Sequence, residues 1–210
     1  SRGLGSIYPS LDEDWWSFEA FAGDVISVSV DTPDSNLDPR VYLYNFSGSE
    51  ITNNRDNGPD TDALIGYYLI DSSGTYYIRV TQDVFGDTSG SYQLRVDLAR
   101  GIDLESDGNY NNDSIAGADS ITLSQGPVGH SLATVAGTVM SQEGSNTDED
   151  IFLLGTLSAD NVVELSIRLP LNSSLVGVLE LLDSSGTVLT DTDGNSLDDH
   201  FLGTISSDGL

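Results

Sequence analysis

Apolar and polar residues alternate along most of this chain, in short runs that end at glycine, aspartate, asparagine or serine. Phe21–Val30 (FAGDVISVSV), Tyr76–Val80 (YYIRV) and Ser91–Val96 (SYQLRV) are typical of strands that follow a turn. No stretch keeps the apolar period of about 3.6 residues that a helix requires over three turns. The pattern therefore predicts an all-β protein, built as an antiparallel, jelly-roll-like β-sandwich.

The same order of motifs occurs twice. Leu11–Phe18 (LDEDWWSF) aligns without a gap on Thr147–Leu154 (TDEDIFLL), and Phe21–Val30 aligns in the same way on Leu157–Ser166 (LSADNVVELS). Three further pairs of segments follow in the same order: Asn36–Ile51 with Ser174–Leu189, Asn53–Asp62 with Asp191–Asp199, and Tyr68–Thr75 with Leu202–Leu210. A repeat whose segments recur in the same order over the length of a whole domain predicts two related modules in tandem.

The repeat gives the expected domain boundaries. We expect a first sandwich at 1–99, an acidic linker or lead-in at 100–123, and a second sandwich at 124–210. The second copy has no counterpart of the strands after residue 75 of the first, so we expect it to lack its last two strands. Either those strands have been removed, or another chain supplies them by strand addition.

The residues that carry the repeat resemble a known family. The order D-x-D-aromatic, AGD, a Ser-Gly turn, an acidic loop, SSGTYYIRV and SGSYQLRV is similar to the bacterial pre-peptidase C-terminal domain, a β-sandwich appended to secreted proteases and other surface proteins. The resemblance covers nearly all of residues 5–98 and, less cleanly, 103–210, so it implies two tandem copies with the second truncated. The lead-in at 103–123 lacks the family's proline and contains an extra DGNY. The resemblance implies a non-catalytic module of a prokaryotic extracellular or cell-surface protein.

The resemblance also implies a metal. In collagen-binding members of the family, acids of the lead-in and acids just before the D-x-D-aromatic strand hold calcium. The implied Ca²⁺ ligands here are Glu105, Asp107, Asn109, Asn112 and Asp113 from the lead-in, with Asp148 and Asp150 from the strand start. Asp12 and Asp14 occupy the matching strand start of the first copy, but no lead-in precedes them, so a complete site there is a weaker expectation.

Spacing alone adds two acidic segments. From Asp103 onward, oxygen-bearing side chains recur at every second position beside Gly108, which places several on one side of a turn, as calcium requires. The twelfth position is Ser114, so the segment is not an EF-hand. Asp191, Asp193 and Asn195 repeat the spacing as a weaker candidate site, although an Asp-Gly hairpin turn is the interpretation that we favour for them.

Charge restricts the partners. The chain has 34 acidic residues against 7 basic ones, a formal net charge of -27, and no cysteine. Such a surface repels phosphate backbones, so we expect no nucleic-acid partner, and no apolar run is long enough for membrane insertion. Two explanations of the acidity stay open: bound calcium, and a solvated surface adapted to high salt.

Catalytic chemistry has little support, because neither His130 nor His200 lies in a triad or metal-ligand motif. We therefore expect no enzyme but a calcium-stabilised structural or adhesion module of a larger secreted or surface protein. One alternative is a protomer of a surface fibre, completed by strand addition from identical chains or neighbouring modules. The other is a substrate-binding appendage of a secreted hydrolase, using an aromatic face to bind an extracellular protein or polysaccharide. Tyr67, Tyr68, Tyr76, Tyr77 and Tyr92 are the candidates for that face.

Overall fold

A computed structural model describes residues 1–84, 87–171, 173–195 and 197–208, so the last two residues of the predicted repeat, 209 and 210, lie outside it. Within these ranges every regular element is a strand, and no helix is long and apolar enough to cross a membrane. The strands are β1 (Arg2–Ile7), β2 (Asp14–Ala20), β3 (Val25–Asp31), β4 (Pro39–Tyr44), β5 (Glu50–Asn54), β6 (Ala63–Leu69), β7 (Gly74–Gln82), β8 (Gly90–Ala99), β9 (Asp103–Leu104), β10 (Asp119–Ser120), β11 (Ser124–Gln125), β12 (Ser131–Leu132), β13 (Val135–Ala136), β14 (Phe152–Leu153), β15 (Val162–Ser166) and β16 (His200–Thr204). The prediction of an all-β protein is confirmed.

The first eight strands form a β-sandwich. One sheet has the order β1-β8-β3-β6 and the other the order β2-β7-β4-β5. All neighbours in both sheets are antiparallel. Because strands that follow one another along the chain mostly lie in different sheets, the connections cross the sandwich, as in a jelly roll. The predicted sandwich type is therefore confirmed for this part of the chain.

Alternation along the strands builds the core between the two sheets. In β4, Val41 and Leu43 are fully buried, while Tyr42 and Tyr44, which alternate with them, are partly exposed on the outer face. Ile78 of the adjacent β7 and Val28 of the facing sheet are buried in the same cluster. Removing this apolar surface from water is the main favourable contribution to the stability of the sandwich.

A chain of hydrogen bonds joins strands β2 and β8, which lie in different sheets of the sandwich. The indole N–H of Trp16 donates to the Tyr92 hydroxyl over 2.9 Å, and that hydroxyl donates to Asp14 over 2.8 Å. Gly5 lies so close to the Tyr92 ring that a Cβ at this position would collide with it. Asp14, a weaker metal candidate, is thus already a hydrogen-bond acceptor within the sandwich.

Residues 103–151 form short strands and loops that pack on the sandwich. β9 pairs in parallel with β13, and Asn109 N donates to the backbone oxygen of Asn57 over 2.8 Å. A Cβ on Gly66 would lie 2.8 Å from the backbone nitrogen of Gly108, so only glycine at 66 lets the lead-in approach this closely. Residues 1–151 accordingly form one compact unit and 152–210 a second. This division reflects which residues pack together and does not test where one sequence repeat ends and the next begins. The boundaries expected at 1–99, 100–123 and 124–210 therefore stay predictions.

The second unit has a small core of its own. β15 pairs antiparallel with β16, and Leu181, Phe201 and Ile205 are buried together. One isolated antiparallel bridge joins Leu182 to Val188.

Turns of the second unit reproduce turns of the first. Leu182 faces Val188 as Tyr44 faces Glu50. Within the turn, the carboxylate of Asp183 accepts from the backbone of the two residues Ser185 and Thr187, as the Asn45 amide oxygen does from the corresponding serines. These shared contacts support the predicted repeat, which itself stays a prediction.

The gapless alignment of the Asp-bearing turns is off by one residue. It matches Asp24 with Asp160, yet Asp160 has the left-handed backbone (φ 66°) of Gly23 (φ 90°). Asn161 occupies the place of Asp24, because its side chain accepts from the backbone of Ser158 over 2.9 Å, as the Asp24 carboxylate accepts from the residue three before it. Residue identity aligns Asp24 with Asp160, but the hydrogen bonds of the turn align Asp24 with Asn161.

Candidate metal centre

The backbone around β9 positions the first acid of the cluster. Glu105 follows β9, and its backbone nitrogen donates to Ala136 O over 3.1 Å. Its side chain turns back towards the same segment, where Oε1 accepts a short hydrogen bond from Thr138 N. A Cβ on Gly137 would collide with the Glu105 carboxylate, so this glycine makes room for it.

Three aspartates converge beside Glu105. One carboxylate oxygen from each of Asp107, Asp148 and Asp150 lies within 4.8 Å of the others. Asp148 has a left-handed backbone (φ 60°), and its Oδ2 accepts a short hydrogen bond from Met140 N. The lead-in reaches the strand start through Asn112, whose backbone oxygen accepts from the nitrogen of residue 151 over 3.1 Å.

These side chains are buried, yet several of their polar atoms have no hydrogen-bond partner. The exposed fraction is 3% for Asp107, 5% for Asp148, 7% for Glu105 and 0% for Asn112. Among the described residues, the buried side-chain atoms without a partner include Glu105 Oε2, Asp107 Oδ1 and Oδ2, Asn112 Oδ1 and Nδ2, Asp148 Oδ1 and Asp150 Oδ1. Buried polar atoms are nearly always satisfied in folded proteins, so this concentration of unsatisfied oxygens points to a ligand.

Electrostatics lead to the same conclusion. Burial, reinforced by the neighbouring carboxylates, raises the pKa of Glu105 to about 9 and that of Asp107 to about 8. Burial and the charge of Asp148 raise the pKa of Asp150 to about 6, and burial raises the pKa of Asp148 as well. Raised pKa values disfavour ionisation of all four carboxyl groups, and a cation bound among them would favour their ionised forms.

The remaining predicted ligands of the lead-in lie around this cluster. Asp113 is half-buried, accepts from Glu149 N over 3.2 Å, and its charge raises the pKa of the buried aspartates. Asn109 is not brought into the cluster, because its side chain is exposed and its backbone has a left-handed conformation (φ 62°). The Asp103 carboxylate accepts a hydrogen bond from Thr122 N over 2.7 Å, so it already has a protein partner. Asp12 accepts from two backbone nitrogens at the first strand start, so the matching acids of the first copy already have protein partners.

The acidic loop of the second unit is built differently. Carboxylate oxygens of Asp191, Asp193 and Asp198 lie within 4.8 Å of one another, but the loop satisfies most of them itself. Asn195 contributes two donors, from its backbone to Asp193 over 3.0 Å and from its side chain to Asp198 over 2.8 Å. His200 bonds Asp193 over 2.7 Å, which lowers the pKa of Asp193 and raises that of His200. Both the hairpin-turn and the metal interpretation of this loop stay open.

Two features of these sites have no strong sequence signal. The donors Thr138 N and Met140 N come from a segment without a recognisable motif. His200, which lies in no recognisable motif, is at the start of β16 and bonds both Asp193 and Glu164. Its position two residues after Asp198, at the start of an apolar run, was the available signal.

The predicted tyrosine face is wrong. Tyr76 and Tyr92 are buried in the core, with 3% and 2% of their surface exposed, and Tyr67 lies in the opposite sheet from Tyr77. Alternation turns neighbouring tyrosines of one strand to opposite sides, so five tyrosines close in sequence do not share a face.

Residues 12–82, which span β2 to β7, match the family model of the bacterial pre-peptidase C-terminal domain. The first sandwich is a pre-peptidase C-terminal domain. Such domains are non-catalytic modules, often of secreted bacterial proteins. The match ends before the acidic cluster, so it does not extend to the lead-in or to the second unit. No curated protein sequence matches the chain.

Solved structures that align with part of this chain include the pre-peptidase C-terminal domain of a collagenase from Bacillus anthracis, at 21% identity and a TM-score of 0.38, over 46% of this chain and 88% of that one. PliG from Salmonella Typhimurium, a periplasmic inhibitor of g-type lysozyme, aligns at 21% identity and a TM-score of 0.37, over 47% and 86% of the two chains. PliG from Aeromonas hydrophila aligns at 16% identity and a TM-score of 0.33, over 46% and 85%.

Proposed function

We propose that this protein is a non-catalytic extracellular module stabilised by calcium, which binds between the lead-in and the strand start at residues 148–150. The observation that carries the proposal is the set of buried oxygens without partners on Glu105, Asp107, Asn112, Asp148 and Asp150. Calcium takes six to eight oxygen ligands, including carboxylates and amide carbonyls, in irregular geometry. The side chains present are of the type this ion prefers.

Bound calcium gives this part of the chain a mechanical role. The lead-in enters the cluster through Glu105 and Asp107, and the chain leaves it through Asp148 and Asp150. An ion held by both segments joins parts of the chain about 40 residues apart, and because it binds only the folded state it stabilises and stiffens that state. The module then acts as a rigid spacer in a larger secreted or surface protein.

Calcium titration tests the proposal. At low ionic strength and neutral pH we expect calorimetric heat and a rise in melting temperature when Ca²⁺ is added. The variant Asp107→Asn with Asp150→Asn removes two ligands and abolishes both responses. Asp34→Asn with Asp87→Asn, two exposed acids without a described contact, is the matched control and leaves them intact.

Salt adaptation predicts a different result. If the acidity serves only solubility in brine, monovalent salt at high concentration raises the melting temperature of the wild type and of the Asp107/Asp150 variant equally, and micromolar to millimolar Ca²⁺ adds nothing. That outcome would remove the calcium proposal.

A second function is supported by the outer face of the β2-β7-β4-β5 sheet. Trp15 is 53% exposed and its ring lies 5.0 Å from that of Tyr44. The guanidinium of Arg79 lies 4.0 Å from the centre of the Tyr42 ring and is paired with Glu13 over 3.0 Å. Aromatic rings that lie on an outer face and pack against a guanidinium group suit a substrate-binding appendage for protein or polysaccharide. Sedimentation with insoluble collagen, chitin and cellulose, wild type against Trp15→Ala, tests it: equal sedimentation of the two proteins contradicts it.

A further inference from the structure

A cleft of about 580 Å³ lies on the outer face of the β1-β8-β3-β6 sheet, between that sheet and the segment 138–141. Its size falls within the range of small-molecule sites. The backbone contacts of the lead-in described above hold the two walls together. The cleft is therefore a feature of the first compact unit.

Carboxylates supply most of the charged groups in the lining. Asp31, Asp60 and Asp62 come from the sheet and its loops, and Glu105 and Asp107 lie in the opposite wall. Arg95 also lines the cleft, but its guanidinium is paired with Asp97 over 2.8 Å. A concave site with an excess of one charge concentrates the field and attracts ligands of the opposite charge.

Two observations separate this cleft from an ordinary acidic surface. Asp107 lines the cleft with only 3% of its surface exposed. Neither of its carboxylate oxygens accepts a hydrogen bond from an N–H or hydroxyl group of the described residues. Asp62 is held in place by Thr32, whose backbone and hydroxyl donate to it over 2.9 and 2.8 Å. Burial and the charges of Asp31 and Asp60 raise the pKa of Asp62.

The rest of the lining is suited to a hydrocarbon stem. Pro33, Pro59, Val139 and Met140 supply apolar surface beside the carboxylates. Long cationic side chains bury their methylenes along such surface while the charged head stays among polar groups. These 210 residues contain no lysine, so a lysine side chain that enters the cleft is not one of theirs.

We propose that this cleft binds an elongated organic cation, the ammonium of a lysine side chain or of a polyamine, with its head at Asp31, Asp60 and Asp62 and its methylene stem against Pro59, Val139 and Met140. The hydroxyls of the lining accept the remaining N–H groups. Calcium held by Glu105 and Asp107 places a competing cation in the opposite wall and weakens the binding; this clause alone depends on the proposed function.

Calorimetry at low ionic strength in chelator tests the inference with three probes: cadaverine, N-acetyl-lysine amide, and the uncharged N-acetyl-norleucine amide. We expect both cations to bind and the neutral isostere not to. Tighter binding of cadaverine identifies a free polyamine as the preferred source, and tighter binding of the lysine amide identifies a protein side chain. If neither cation binds, or if the norleucine amide binds equally well, the inference is overturned.

Matched variants locate the site. The pair Asp31→Asn with Asp60→Asn leaves the Thr32 contacts of Asp62 in place, and asparagine tolerates the left-handed backbone of residue 60 (φ 54°). We expect it to weaken cation binding by about tenfold or more, against less than about twofold for Asp34→Asn combined with Asp87→Asn, which carries the same change in charge. Equal losses in the two pairs would show general attraction to an acidic protein and would overturn the inference. If calcium changes the affinity of none of these proteins while the Asp31/Asp60 effect persists, the coupling to calcium fails and the cation cleft stands; the heat and melting-temperature responses to calcium decide the calcium proposal separately.

Discussion

Two buried carboxylates of the first compact unit behave in opposite ways. Asp24 is 1% exposed, and Arg100 clasps it with two hydrogen bonds of 2.7 Å, which lowers its pKa to about 2. Asp107 is 3% exposed, its carboxylate oxygens accept from no N–H or hydroxyl donor among the described residues, and burial raises its pKa to about 8. Burial is nearly equal, so the partner decides the sign. The sandwich completes its own charge pair, whereas the cluster at 105–150 requires a cation from solution.

The largest expected effect comes from supplying that cation. Calcium at about 100 times its dissociation constant should raise the free energy of unfolding by about 3 kcal/mol, because it binds only the folded cluster. Asp107→Asn should have opposite effects in the two states: more stable than wild type in chelator, since one repelling carboxylate is gone, and less stable in calcium. Urea denaturation of both proteins in chelator and in calcium measures this. An Asp107→Asn protein that is less stable under both conditions would mean that Asp107 has an unseen partner.

The pH dependence should separate the two kinds of carboxylate next. The pKa values of folded Glu105 and Asp107, about 9 and about 8, lie above the ordinary 4.5 and 3.8, so the folded state binds these protons more tightly. Their contribution is present at low pH and is lost as the pH rises through about 8 to 9. Asp24 has the opposite sign, and its contribution is lost as the pH falls from about 4 towards about 2.

Denaturation in chelator at about pH 5, 7 and 9 checks this prediction. The free energy of unfolding should fall as the pH rises over this range, and saturating calcium should remove the slope. Equal stability at both ends of the range in chelator would contradict the raised pKa values.

Arg100→Gln turns Asp24 into a carboxylate that resembles Asp107. We expect a lower melting temperature and the loss of the acid transition between about pH 4 and about pH 2, since the charge no longer has its partner. The effect is smaller than that of calcium because the Arg100 side chain is 55% exposed and water replaces it in part. Arg168→Gln, a change of the same charge in the second unit, is the control; equal shifts in both variants would show a general effect of net charge.

Tyr92→Phe gives the smallest effect, at a carboxylate paired with a neutral donor. The variant removes the hydroxyl between Trp16 and Asp14 and leaves one donor and one acceptor unsatisfied, at a cost of about 1 kcal/mol. Thermal unfolding measures it, with the exposed Tyr8→Phe as control. No loss of stability would indicate that water reaches both groups.

The fold was accessible from the sequence because its signals are local. Alternation in Val25–Asp31 and Pro39–Tyr44, and the glycine or aspartate at each turn, are enough to predict short strands of one sandwich. The motif resemblance then identified most of the carboxylates that the structure brings together, from Glu105 to Asp150. The sequence did not predict that Asn109 would face solvent, that Tyr76 and Tyr92 would be core residues, or that the Asp24 turn aligns on Asn161.

The sequence alone therefore determined the class of fold, the excess of acid, and which segments carry it, because residue type and strand period are properties of neighbours in the chain. Only the tertiary structure decided which carboxylates are buried without a partner. Asp24 and Asp107 look alike in sequence, and the difference between them is an arginine 76 residues away along the chain that reaches one and not the other. Desolvation and charge pairing depend on distances in space, so they were fixed only when the sandwich and the lead-in packed together.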